Sequence, residues 1–187
     1  MKKLLFVALF FAAALNVQAQ TELKINPLGI LFSNPELSAE FGVNEHIGVE
    51  PSLGISYLKL TLNGNAYKSS GFSYGVNGKY YFGPEKGIDK FYAGIYLRGG
   101  ASTYRNTSKV SNDNITNNRL GGGMSLGYKW VSSQSIVLDL GTGIGRKVFD
   151  NSKNDNGNTN LNEDSISDID FFFRFGVGYR FGGASKH

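Results

Sequence analysis

Phe171-Phe172-Phe173-Arg174-Phe175-Gly176-Val177-Gly178-Tyr179-Arg180-Phe181, close to the C-terminus, decides how the rest of the chain is read. The odd positions are Phe171, Phe173, Phe175, Val177, Tyr179 and Phe181; the even ones are Phe172, Arg174, Gly176, Gly178 and Arg180. Side chains alternate between the two faces of a strand. This segment therefore sets a wall of rings and one aliphatic against a face of glycines and arginines. A buried apolar face with a polar outer face makes a soluble strand; the reverse makes a strand whose outside meets lipid.

The same period runs through the chain. One face carries Leu37, Ala39, Phe41 and Val43, and the other Ser38, Glu40 and Gly42. Next come Ile47 to Tyr57 against Gly48, Glu50, Ser52, Gly54 and Ser56, with Pro51 as a blemish, since proline removes a ladder bond. Phe72, Tyr74, Val76, Tyr80 and Phe82 oppose a face with Lys79, and Phe91, Ala93, Ile95 and Leu97 oppose one with Arg98. Leu120 to Trp130 oppose Arg119, several glycines and Lys129; Ile136 to Ile144 oppose Asp139 and glycines. A blurred first strand at 21–32, interrupted by Pro27 and Gly29, and a last one extended back to Ile169 and Asp170 bring the expected number to eight. The expected fold is all-β: an eight-stranded antiparallel up-and-down transmembrane β-barrel.

Volume decides which face is outside. The interior of an eight-stranded barrel is just wide enough for ordinary side chains. Rings and branched aliphatics in nearly every row do not fit there, whereas Gly and Ser do. Thirteen residues from Ile169 to Phe181, tilted by about 45°, rise about 28 Å, enough for an apolar band about 25 Å tall. Connections sort by length as well. Asn44 to His46, Gly83 to Lys90 and Val131 to Ser135 are short, whereas 61–70, 103–118 and 150–168 form three longer polar loops; Ser33-Asn34-Pro35 is a tight exception. Short turns on the periplasmic side and long loops outside are the pattern of outer-membrane barrels.

The N-terminus supplies the address. Lys2 and Lys3 precede an apolar run, Leu4 to Leu15, and then Val17-Gln18-Ala19. Residues 1–19 read as a secretory signal peptide and 20–187 as the barrel. The chain has no Cys, so neither a lipid-modified cysteine nor a disulfide is expected. The formal charge of +4 falls to about +2 without Lys2 and Lys3, too weak a bias for nucleic acid to be a partner.

The mature chain resembles small eight-stranded outer-membrane barrels, similar in plan to OmpX and the membrane domain of OmpA. The ending Val177-x-Tyr179-x-Phe181 is similar to the C-terminal aromatic signal read by the barrel assembly machinery, although Gly182 to His187 follow it. The resemblance implies a place in the bacterial outer membrane, contact with outer-membrane lipid, and no assigned activity.

Charges on the inward face are Glu40, Glu50, Asp139 and Asp170 against Lys79, Arg98, Arg119, Lys129, Arg174 and Arg180. Unpaired charges in a tight interior cost several kcal/mol each. A plug of paired charges is therefore expected, with Arg174 and Arg180 meeting acids such as Glu40, Glu50 or Asp139; a narrow ion path is the alternative. The histidines, His46 in a periplasmic turn and His187 at the end, sit near no Ser and acid on the external side. No catalytic residue, cofactor or metal is expected. Ser152, Asn154, Asn156 and Glu163 with Gly157 match part of a calcium loop, but position 1 is Ser and no helices flank it. The function expected is non-enzymatic: a barrel presenting polar loops at the cell surface or serving as accessory subunit of an outer-membrane complex, with a small pore or carrier for ions or small solutes as the alternative.

Overall fold

The computed structural model describes residues 20–62, 65–106, 114–154, 159–160 and 168–182. The expected leader, residues 1–19, lies outside them. Strands are β1 (Thr21–Ile25), β2 (Glu36–Gly42), β3 (Ile47–Leu62), β4 (Asn65–Phe82), β5 (Lys90–Asn106), β6 (Asn114–Val131), β7 (Ile136–Asn154), the two-residue β8 (Thr159–Asn160) and β9 (Ile169–Phe181). One short helix, α1 (Pro27–Leu31), lies between β1 and β2. No described helix is long and apolar enough to cross a membrane.

Each of β1 to β7 pairs antiparallel with the next, β7 pairs with β9, and β9 pairs back with β1. Eight strands thus close a ring, which leaves no continuous edge. Following the register once round from Phe181 passes through Thr21, Phe41, Val49, Gly78, Ile95, Met124 and Ile144 and returns to β9 at Phe171. The ring is sheared by ten residues. With a rise of about 3.3 Å per residue and a spacing of about 4.8 Å between strands, that shear tilts the strands by about 40°.

Burial is inverted relative to a soluble protein. Leu53 (68%), Ile95 (70%) and Phe171 (63%) are among many large apolar residues exposed on the outer face. Glu22, Lys24, Glu40, Glu50, Lys79, Lys129 and Asp139 are buried inside. Charged residues are almost never fully buried unless paired. Lipid is the solvent that suits this exterior, and closure satisfies the backbone within it.

Three expectations need correction. The first strand stops at Ile25 rather than 32. Pro27, with no N–H to give a ladder, starts α1 instead, and the Asn26 side chain caps it by accepting from Gly29 N at 3.1 Å. The first connection is therefore this helix with its following turn rather than Ser33-Asn34-Pro35 alone. Past α1 the chain rejoins the wall, because Tyr57 N donates to Ser33 O and Ile55 N donates to Pro35 O. The loop expected at 61–70 is a hairpin: β3 and β4 stay in register to Leu62 opposite Asn65. Asn63-Gly64, a strong two-residue hairpin signal, occupies the connection. In the same way β5 and β6 extend into 103–118, and β7 into 150–168. Above the apolar band both strand faces are wet, so polar sequence no longer alternates although the ladder continues.

Two irregularities have visible causes. The β2–β3 register lapses at Ala39 and Glu40, beside Pro51. A register shift between Leu120 and Gly121 leaves Val148 of β7 without a partner, a β-bulge that turns Phe149 outward beside Leu120.

Candidate functional site

Inward positions in the half of the lumen nearest the β4–β5 turn converge on one network. Lys24 Nζ lies 2.6 Å from Glu40, 2.6 Å from Asp139 and 2.9 Å from Glu50. Lys79 Nζ reaches the same three carboxylates, at 3.1 Å from Glu40 and 2.8 Å from Asp139, with Glu50 also in contact. Lys129 bridges Glu22 at 2.8 Å and Glu40 at 2.9 Å. Arg174 pairs with Glu50 and reaches Glu36 at 3.4 Å. Tyr92 donates to Asp139 at 2.9 Å, Tyr81 donates to Glu40, and Ser38 donates to Glu50 at 2.7 Å. The rings close over the amines, with Lys79 4.4 Å from the Tyr92 centroid and Lys129 4.6 Å from that of Tyr81.

Charge balances across this cluster. Glu22, Glu40, Glu50, Asp139 and the more open Glu36 face Lys24, Lys79, Lys129, Arg174 and Arg180. Breaking a buried pair strands its partner's charge, so each member is held by the others. Glycines on the same face make the room: a methyl group on Gly127 or Gly141 would overlap the Tyr92 side chain.

Below the network this end of the lumen is covered. Ile88, from the β4–β5 turn, is fully buried with Tyr81, and Val131 and Val137 are buried at the same level. Arg180 ties this turn down, donating to the carbonyls of Lys86 and Ile88 as well as to Glu22. Asp89 accepts from Glu85 N and Lys86 N, while Gln20 bonds Lys86 O and Ile88 N.

Above the network the lumen opens. A cavity of about 340 Å³ is bounded by α1, Arg98, Arg119, Asp170 and Arg174 among others. Arg98 grips Asp170 through Nε at 2.8 Å and Nη2, and Tyr96 donates to the same carboxylate at 2.9 Å. Arg119 is exposed and sits in register opposite Asp150, which instead bonds Lys147 at 3.0 Å.

Glu40, Glu50, Lys79, Lys129, Asp139 and Arg174 therefore meet in one cluster, and Arg98 meets Asp170 above it. Arg180 departs from expectation: its acid is Glu22, not Glu40, Glu50 or Asp139, because β1 lies next to β9 in the ring. Glu22 and Lys24 escaped the sequence reading because Pro27 blurred the first strand. The alternation carried back from Leu23 and Ile25 would have placed both inside. Tyr81 and Tyr92 occupy inward positions, and nothing local marks them as partners of Glu40 and Asp139.

Carboxylate oxygens of Glu40, Glu50 and Asp139 lie within 4.8 Å of one another, the spacing of a metal site. Both Lys24 and Lys79 contact all three, so ammonium groups stand where a cation would sit. Of the calcium-like pattern, Ser152 and Asn154 lie in β7, in register with Asn117 and Ile115. Backbone held in that ladder is not free to wrap an ion; Asn156 and Glu163 lie outside the described residues. Val177, Tyr179 and Phe181 lie on the closing seam opposite Ile25, Leu23 and Thr21, and the Tyr179 and Phe181 rings meet edge-on at 5.0 Å.

Comparison with curated proteins finds no match. Among solved structures, the chain is similar to a major outer membrane protein from Thermus thermophilus, with a TM-score of 0.57 and 13% identity over 87% of this chain and 99% of that one. Identity that low speaks for the fold alone. A family profile described as "Protein of unknown function (DUF3575)" matches residues 4–168, most of the chain. By that match this eight-stranded ring belongs to the DUF3575 family.

Proposed function

We propose that the protein is a non-enzymatic barrel of the bacterial outer membrane, delivered by cleavage of residues 1–19, with a closed lumen and extended hairpins presented at the cell surface. The observation that carries this reading is the charge network spanning Lys24, Lys79 and Lys129, which fills the periplasmic half of the interior with mutually paired groups. The apolar outer face and the fold shared with the Thermus thermophilus outer membrane protein support the location. The role is anchoring and contact: hairpins β3–β4, β5–β6 and the end of β7 meet surface partners, or the ring-rich wall docks a larger outer-membrane complex. The barrel assembly machinery reads Val177, Tyr179 and Phe181 during insertion.

Single-channel recording in planar bilayers tests the closed lumen. No steady conductance is expected; stable openings of the wild-type protein would overturn it. A second reading, a small pore or carrier for ions or small solutes, draws on the cavity above the network, whose wall includes the exposed Arg119. It requires those openings.

A further inference from the structure

Three cations stand side by side near the top of the outer wall. Lys59 of β3 is the register partner of Lys68 of β4, and Lys68 is the register partner of Arg105 of β5. Strand parity puts all three on the outer face: Lys59 continues Leu53, Ile55 and Tyr57, Lys68 leads to Phe72 and Tyr74, and Arg105 follows Ile95 and Leu97. All three are exposed. Residues directly opposite have Cβ atoms about 4.5–5.5 Å apart, and like charges in that position repel.

No hydrogen bond or ion pair joins any of the three to another described residue. Elsewhere near this end several cations have acids: Arg146 has Asp168 at 3.5 Å, Lys147 has Asp150 and Arg98 has Asp170. An anion supplied from outside the chain would relieve the repulsion along the row. Its height indicates which anion. Lys59 is two residues beyond Tyr57, about 5 Å further along the barrel axis at this tilt, and Tyr57 (61%) and Phe72 (55%) mark the upper margin of the apolar wall. That is the level of lipid headgroups.

We propose that Lys59, Lys68 and Arg105 bind the phosphate of a phosphorylated outer-leaflet lipid, whose acyl chains lie on the apolar wall around Tyr57 and Phe72. A phosphate concentrates up to two negative charges and several acceptor oxygens at one point. Two ammonium groups and a guanidinium fork converging from adjacent strands match it better than they match a single carboxylate. The site rests on the outer-membrane reading above and gives it a specific lipid contact.

The test uses full-length mature protein in non-ionic detergent micelles, with bis-phosphorylated lipid A as the probe and native mass spectrometry as the readout. Wild type should bind saturably. Lys59→Gln, Lys68→Gln and Arg105→Gln combined should weaken binding by about tenfold or more. Lys59→Arg with Lys68→Arg should keep it, and Arg146→Gln, off the row, should leave it unchanged. Lipid A lacking both phosphates should bind wild type as weakly as the triple variant binds the intact lipid. Equal binding by wild type and the folded triple variant overturns the site. So does full competition by micromolar inorganic phosphate, which would assign the row to the free anion. In either case the protein still fractionating with outer membranes leaves the membrane reading standing; failure to fractionate there overturns both.

Discussion

At the residue scale, the interior works by mutual obligation. Glu40 contacts Lys24, Lys79 and Lys129 and accepts from Tyr81. Removing it leaves three ammonium groups short of a counter-charge in a space closed to water. Glu40→Ala should lower stability by about 3–5 kcal/mol, read as a shift of the urea unfolding midpoint in micelles; a change below about 1 kcal/mol would mean water enters and screens the cluster. Gly127→Val should misplace Tyr92 and slow folding, and Tyr92→Ala in the same chain should recover part of the loss, because that ring is the nearest group in the way while the Leu140 carbonyl remains. If the double variant folds no better than Gly127→Val alone, the small residue serves some other neighbour. Legibility at this scale was uneven. Inward acids and bases such as Glu50 and Arg174 follow from parity alone. That Arg180 takes Glu22 does not, since nothing near Arg180 in the chain indicates which strand flanks β9.

At the scale of elements, each strand reads by its contrast between faces and becomes illegible where that contrast ends. β9 and β5 are plain because lipid on one side and a crowded lumen on the other demand different side chains. The outer halves of β3 to β7 are not, because Asn, Ser and Thr suit water on both faces while backbone pairing continues regardless. The helix α1 is the other surprise. β1 and β2 have only 5 and 7 residues, against 13 in β9, and the helix links them beyond their paired ends, with Leu31 (77%) and the following Phe32 (79%) exposed. So short a helix leaves most of its backbone groups open, and its cap and following turn take them up: Gly29 N donates to Asn26 Oδ1, Ser33 N to Ile30 O and Asn34 N to Gly29 O. The outward assignment is testable on β5. Ile95→Arg should cost about 2–4 kcal/mol of folding free energy in lipid vesicles, as expected for arginine near the midplane of the lipid face. Wild-type stability for that variant would mean the face does not meet lipid.

At the scale of the whole molecule, closure is the central fact. Leu23 and Tyr179 are register partners across the β1–β9 seam, and opposed residues in such a ladder have Cα separations within the range a disulfide spans. Leu23→Cys with Tyr179→Cys should cross-link on oxidation in a chain that otherwise has no Cys, and the product should migrate differently from the reduced form after heating in SDS. Absence of cross-linking in folded protein would open the ring. Phe181→Ala belongs to this scale too. It removes the ring that ends the seam, so it should reduce the fraction assembled in cells without changing how the assembled fraction unfolds; wild-type assembly would remove that residue from the insertion signal.

The sequence by itself determined the strand count, the alternation, the outward face and, Glu22 and Lys24 apart, the charges of the buried network. Each of these is a local property, set by side-chain size and polarity at period two. Tertiary structure decided which of those charges meet. Lys24 and Asp139 are 115 residues apart and joined at 2.6 Å, because ring closure with a shear of ten brings their strands to the same height. That shear is a sum of registers around eight strands, and no single strand carries it. The same summation decides the opening stretch: its rings form outer wall by their own parity, but Arg174 and Arg180 find Glu50 and Glu22 only once β9 is fitted between β7 and β1.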